Sequence, residues 1–158
     1  MSKILIVDDE KNFPLILSTV LEDEGYSAAA ARSGKEALEI LGSDNIDLVL
    51  TDMKMPEMDG IKLLDNIKKN YPDIPVIVMT AHGTVEKAVE AMQKGAFTYI
   101  LKPFGNQALI EHIKHALAHS KIIRENIELK NFVKTRFKFD NIIGKSKPML
   151  ELFDTDRK

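Results

Sequence analysis

Short apolar runs recur along this chain at a steady interval, and the stretches between them carry helical spacing. Repeated strand-helix units with a parallel sheet satisfy that alternation. The predicted strands are Lys3–Val7, Ser27–Ala31, Asp47–Thr51, Pro75–Met79 and Thr98–Leu101. Most read as continuous Ile, Leu and Val without polar alternation, as strands do when helices cover both faces of a sheet. The first helix is expected over about Asn12–Glu24, with Pro14 tolerated in its first turn and Gly25 as a left-handed stop. Ser33 can cap a Gly34–Leu41 helix, and Thr84 can cap Val85–Lys94, which Gly95 ends. In that helix Val85, Ala88, Val89 and Met92 lie on one face, and a last helix starts at Asn106 with Leu109, Ile110, Ile113 and Leu117 inward.

A length of 158 residues allows one full core and a tail. The chain has no cysteine, which excludes disulfides and thiolate metal sites. No apolar run approaches the roughly 18 residues of a membrane span, so a soluble, cytoplasmic protein without a membrane partner is expected. The net charge of −2 divides unevenly: residues 1–120 hold 12 Lys/Arg against 18 Asp/Glu, and residues 121–158 hold 10 against 6. The basic excess of the tail is small and lacks interleaved aromatics, which favours a solvated helix face over nucleic-acid contact. Residues 121–135 continue the helical pattern. Ile122, Asn126, Leu129 and Val133 are spaced four, three and four, so this linker either pairs with a second copy along a short seam or lies on its own domain. At Arg136 the pattern breaks and a new element begins.

Each strand but the second delivers polar chemistry at its carboxyl end: Asp8 and Asp9 after the first, Asp52 after the third, Thr80 after the fourth, Lys102 after the fifth. Open α/β sheets hold ligands at that edge. Three acids, one cation and one hydroxyl suit a divalent metal and a phosphoryl group. Asp52 is the candidate nucleophile. Mg²⁺ takes octahedral oxygen ligands including one or two carboxylates, and Asp9, Asp52 and the Lys54 carbonyl would supply them, with Asp8 reaching the ion through water. Lys102 would neutralise one phosphoryl oxygen and Thr80 would donate to another.

Ile6-Val7-Asp8-Asp9-Glu10, Asp52-Met53-Lys54-Met55-Pro56-Glu57-Met58-Asp59-Gly60, Met79-Thr80-Ala81-His82-Gly83 and Tyr99-Ile100-Leu101-Lys102-Pro103-Phe104 resemble the signatures of two-component response-regulator receiver domains over about residues 1–120. The resemblance implies a flavodoxin-like, doubly wound α/β fold with a five-stranded parallel sheet in the order 2-1-3-4-5. It implies phosphorylation of Asp52 by a sensor histidine kinase, a cis bond at Lys102-Pro103, and the Ala81 N–H beside Thr80 on the phosphoryl group. Thr80 and Tyr99 would form the switch. Slow self-phosphorylation and self-dephosphorylation would be the only turnover, in a signalling domain and not an enzyme. His82-Gly83-Thr84-Val85 with Ala88–Met92, and Phe139–Met149, are similar to the nitrogen-regulatory, sigma-54-dependent activators. The chain then divides into a receiver over 1–120, a helical linker over 121–135, and the truncated start of a central AAA+ ATPase domain over 136–158. A homodimer is expected. DNA and sigma-54 RNA polymerase would be reached only through domains absent from this chain.

Rival readings fail on particular residues. An aspartyl-nucleophile phosphohydrolase resembles its kin in a second acid two residues after the nucleophile, where this chain has Lys54. A flavodoxin-like cofactor carrier needs a hydroxyl- and glycine-rich loop after strand 1, where Asp8-Asp9-Glu10 would repel an anion. A receiver degenerated to an interaction module would not need Asp8, Asp9, Asp52, Thr80 and Lys102 together. Gly144-Lys145-Ser146 imitates the end of a P-loop but has Phe139 where that motif needs glycine. His112, His115 and His119 share a helix face with no acid or cysteine to complete a metal site, and Met53, Met55 and Met58 suit packing better than soft-metal binding.

Overall fold

A computed structural model describes residues 2–81 and 85–143. Five strands alternate with five helices: β1 (Lys3–Val7), α1 (Phe13–Asp23), β2 (Ser27–Ala31), α2 (Gly34–Ser43), β3 (Leu48–Asp52), α3 (Gly60–Asn70), β4 (Val76–Ala81), α4 (Val85–Gln93), β5 (Thr98–Lys102) and α5 (Asn106–Ile143). The strands pair in parallel in the order β2-β1-β3-β4-β5. The expected strand order is therefore the observed one, and the Lys102-Pro103 peptide is cis as anticipated.

Alternation along each strand sends side chains to two cores. Leu5, Val7, Val49, Val76 and Val78 meet Ala37 and Leu41 of α2, Leu64 and Ile67 of α3, and Ala91 of α4. Ile4, Ile6, Leu48, Leu50, Ile77 and Met79 meet Leu17 and Leu21 of α1 and Leu109, Ile113 and Ala116 of α5. Helices thus cover both faces, which is why the central strands show no polar alternation. Because β1 lies between β2 and β3, successive connections leave β1 and β3 on opposite faces of the sheet. The crevice so opened lies at the carboxyl ends of these two strands, where Asp8, Asp9 and Asp52 reside.

Local signals act largely as the residue types dictate. Ser33 accepts a hydrogen bond from the Glu36 N–H (3.1 Å) and caps α2, and Asp59 accepts from Lys62 N–H (2.9 Å) and caps α3. Gly25 and Gly95 take the left-handed φ that ends α1 and follows α4. Asn12 precedes α1 without a side-chain cap bond. The α2 helix continues past Leu41 to Ser43, since Gly42 in the last turn remains helical.

Two differences bear on function. Among the described side chains of α4, Ala88 and Ala91 are buried, whereas Val89 and Met92 are 49% and 40% exposed. The small alanines, not the larger apolar residues one position on, form the packed face. The last helix also runs through Arg136-Phe137-Lys138-Phe139-Asp140 to Ile143, beyond the expected break. That stretch contains neither glycine nor proline to interrupt a helix.

The chain separates into two compact units, Met1–Ser120 and Lys121–Lys158. Within the first, the Ser120 hydroxyl donates to the Asp73 carbonyl at 2.8 Å and secures the helix at that point. In the second, Ile122 is exposed, while the side chains of Asn126, Leu129 and Val133 and all of Gly144–Lys158 lie outside the described residues, as do His82, Gly83 and the Thr84 cap. Among the described residues no helix is long and apolar enough to cross a membrane.

Candidate functional site

Strand pairing carries β3, β4 and β5 into the polar residues that hydrophobic patterning alone places just beyond them. Asp52 pairs with Met79 and ends β3, Ala81 pairs with Lys102, and Thr80 pairs with Leu101 within β4. Thr80, Val78 and Tyr99 lie at positions whose side chains share one sheet face; Lys102 and Ile100 belong to the other. A pocket of about 240 Å³ at this edge is lined by Glu10, Asp52, Met53, Lys54, Thr80, Ala81 and Lys102.

The acids come together as the sequence predicts. Single carboxylate oxygens of Asp8, Asp9 and Asp52 all lie within 4.8 Å of one another. Asp8 is fully buried, Asp52 is partly buried and Asp9 is exposed. Asp8 Oδ1 accepts the Glu10 N–H at 2.9 Å, and its Oδ2 accepts from Lys102 Nζ at 3.0 Å. Lys102 Nζ also stands 3.6 Å from Asp52 Oδ1, so one cation joins a carboxylate just after β1 to the one that ends β3. The Met53 N–H donates to Asp52 Oδ1 at 2.9 Å.

Burial pushes the Asp52 carboxyl above the ordinary carboxylate value, Lys102 opposes the rise, Asp8 adds to it, and the Met53 hydrogen bond opposes it. Three carboxylates thus gather around the one ammonium that pairs with them, that of Lys102. All three acids present hard oxygen donors, a set that fits a small divalent cation and no soft metal.

The loop from β3 to α3 approaches the strand very closely. The Gly60 N–H donates to the Met53 carbonyl at 2.9 Å, and a Cβ on Gly60 would stand 2.5 Å from the Asp52 carbonyl oxygen. Glu57 in this loop adopts φ 68°, a left-handed conformation uncommon for a residue with a side chain. Thr80 is fully buried, with a long 3.5 Å contact from its hydroxyl to the Ala81 carbonyl. Tyr99 is partly buried against the core beneath α2, α3 and α4.

Two residues escaped the sequence reading. Glu10 lines the pocket, and its place directly after Asp8-Asp9 is the sequence signal for it. Phe13 places its ring 4.2 Å from Lys102 Nζ, and nothing local in the sequence connects the two. His112, His115 and His119 belong to no cluster of potential metal ligands; the grouping found among the described residues is Asp8, Asp9 and Asp52.

Residues 4–114 match the family described as "Response regulator receiver domain". The chain belongs to that family. This receiver domain is 43% identical over 132 residues to a "Putative response regulator NtrX-like" of Rickettsia bellii (strain RML369-C), covering 82% of this chain and 28% of that protein. It is 38% identical over 152 residues to "Regulatory protein AtoC" of Escherichia coli (strain K12), covering 96% and 33%. Among solved structures, NtrX from Brucella abortus aligns with a TM-score of 0.78 at 37% identity, over 82% of this chain and 30% of the other. A response regulator receiver domain protein from Clostridium thermocellum aligns with a TM-score of 0.75 at 38% identity, over 78% and 99%. The NtrX-like and AtoC relatives bear out the resemblance to the nitrogen-regulatory group of activators. The chain spans about a third of the length of the curated relatives it matches.

Proposed function

We propose that this receiver domain accepts a phosphoryl group on Asp52 from the phosphohistidine of a sensor histidine kinase and returns it to water slowly. The observation that carries the reading is the position of Lys102 Nζ between Asp8 and Asp52, at a pocket also lined by Thr80 and Ala81. An Asp52 carboxylate oxygen attacks phosphorus, a P–O bond forms, and the P–N bond to the kinase imidazole breaks. The imidazole nitrogen keeps the electron pair and takes a proton from solvent. Lys102 neutralises one phosphoryl oxygen, and the Thr80 hydroxyl and Ala81 N–H donate to others. Hydrolysis reverses the charge change: water attacks phosphorus, the acyl P–O bond breaks, and the Asp52 carboxylate and inorganic phosphate result.

Asp8, Asp9, Asp52 and the Lys54 carbonyl are the ligands we assign to Mg²⁺, which would supply charge neutralisation at the phosphoryl oxygens. Thr80 and Tyr99 are the switch. Thr80 drawn toward a dianionic group at Asp52 leaves space for the Tyr99 ring, and phosphate biases the equilibrium through that differential contact. Their common sheet face supports the relay.

The reading extends to the whole protein: a cytoplasmic regulator in which residues 1–120 control a sigma-54-dependent activator through a linker over 121–135, with 136–158 opening the ATPase domain. The NtrX-like and AtoC relatives support it. Contact with DNA and sigma-54 RNA polymerase belongs to domains beyond this chain, and the protomers associate as a homodimer. Incubation with Mg²⁺ and acetyl phosphate, read by intact mass, tests the core of the proposal. Addition of one phosphoryl group to the native chain and none to Asp52→Asn is expected; equal labelling of both would overturn it.

A further inference from the structure

We infer that Phe13 is a positioning residue for the phosphoryl transfer, holding the Lys102 ammonium by its ring face while that ammonium changes carboxylate partners. The inference rests on the role given to Lys102 above. A lysine on a four-carbon stem needs something to keep its head at the pocket, and two acids alone do this poorly, because an incoming phosphoryl group on Asp52 must compete with Asp8 for the same cation. A neutral partner attracts the ammonium without competing for it by charge. The Phe13 ring is placed for this: its centroid lies 4.2 Å from Lys102 Nζ, within the range of a cation–π contact.

The ring is itself held. Phe104 meets it edge to face, with centroids 6.0 Å apart and planes at 79°. Phe104 lies two residues beyond Lys102, so the lysine, the ring it touches and the ring behind it form a closed loop across β5 and the start of α1. Both phenylalanines pack against the core shared by α1 and α5. Phe13 opens α1 and is partly buried, so its ring lies between that core and the ammonium at the site edge.

An aliphatic side chain could fill the same space but would lack the negative ring face. Replacing Phe13 by mono-, di- and trifluorophenylalanine keeps the shape and progressively removes the ring's attraction for a cation. The full-length protein bearing each ring is phosphorylated with acetyl phosphate at saturating Mg²⁺, and the Lys102 ε-methylene resonances are recorded by NMR in the absence of phosphodonor. A stepwise fall in rate, reaching roughly twofold to fivefold at the trifluoro ring and at Phe13→Leu, is expected from a partly exposed cation–π contact, with Phe13→Tyr close to native. The Lys102 resonances should carry an upfield ring shift that Phe13→Leu abolishes. Equal rates across the fluorinated series, or no ring shift at Lys102, would overturn the inference while Asp52→Asn remained silent. Labelling of Asp52→Asn would instead remove the reading on which it rests.

Discussion

Replacing Gly60 with alanine is the sharpest test of how the fold holds Asp52 in place. In an ordinary helix this change stabilises, by roughly 0.4–1 kcal/mol, because alanine leaves the unfolded chain less freedom. Gly60 has no left-handed φ, so no backbone strain is expected. The added Cβ would nevertheless stand 2.5 Å from the Asp52 carbonyl oxygen and 3.0 Å from Met53 Cα. Both are backbone atoms of β3 and its first loop residue, so neither can swing aside. Restoring ordinary contact requires α3 and the end of β3 to separate by about 1 Å. Overpacking of that kind costs about 1–3 kcal/mol. The same displacement acts on the Asp52 carboxylate, and misplacement by about 1 Å can cost on the order of 100-fold in rate. Urea unfolding and the rate of labelling by acetyl phosphate measure the two effects separately. Gly105→Ala, with no atom within 4 Å of the added Cβ, is the control and should change stability by less than about 1 kcal/mol. A Gly60→Ala protein as stable as the native one and labelled at its rate would refute the close-approach argument.

Three further expectations follow from the same geometry. The Asp52 carboxyl is raised in the folded state, so its ionisation disfavours folding; the penalty is absent below the unfolded value, grows as pH rises to the raised value, and is complete above it. Asp52→Asn should therefore be more stable than the native chain at neutral pH, with the advantage vanishing in acid, and an advantage constant with pH would contradict this. Thr80→Ala should leave Asp52 open to phosphorylation while weakening the phosphate-induced change in Tyr99 fluorescence or ring resonances; a normal Tyr99 response in that variant would exclude the relay. Sedimentation of the full chain beside one ending at Ser120 should show a dimer that weakens on truncation and with added salt, and an undiminished dimer would remove the linker seam built on Ile122, Asn126, Leu129 and Val133.

The site was legible in the sequence because its polar residues interrupt apolar runs, and such interruptions are local. Asp8, Asp9, Asp52 and Lys102 could be placed at one edge from strand ends alone, and the structure brings their side chains together there. Strand limits were read one or two residues short at Asp52, Ala81 and Lys102, since the ladder extends wherever a neighbouring strand offers a partner and is indifferent to polarity. The packed face of α4 includes Ala88 as expected but turns toward Ala91 and away from Val89 and Met92, for a related reason. Spacing identifies a stripe of apolar residues, but the distance of the helix from the sheet decides whether alanine or valine fills it, and that distance is set elsewhere in the chain. Phe13 illustrates the limit most clearly: its contact with Lys102 joins the start of α1 to the end of β5, and no periodicity encodes it.

The central claim is that the acid ending β3 carries the phosphoryl group. Borohydride reduction of the freshly phosphorylated native protein converts an aspartyl phosphate to homoserine, and peptide mapping by mass spectrometry then locates the residue that was modified. The account predicts homoserine at position 52 and unmodified aspartate at Asp8, Asp9 and Asp59. Homoserine at any of those three positions with Asp52 intact, or a phosphate that resists reduction on a serine, threonine or histidine, would contradict it.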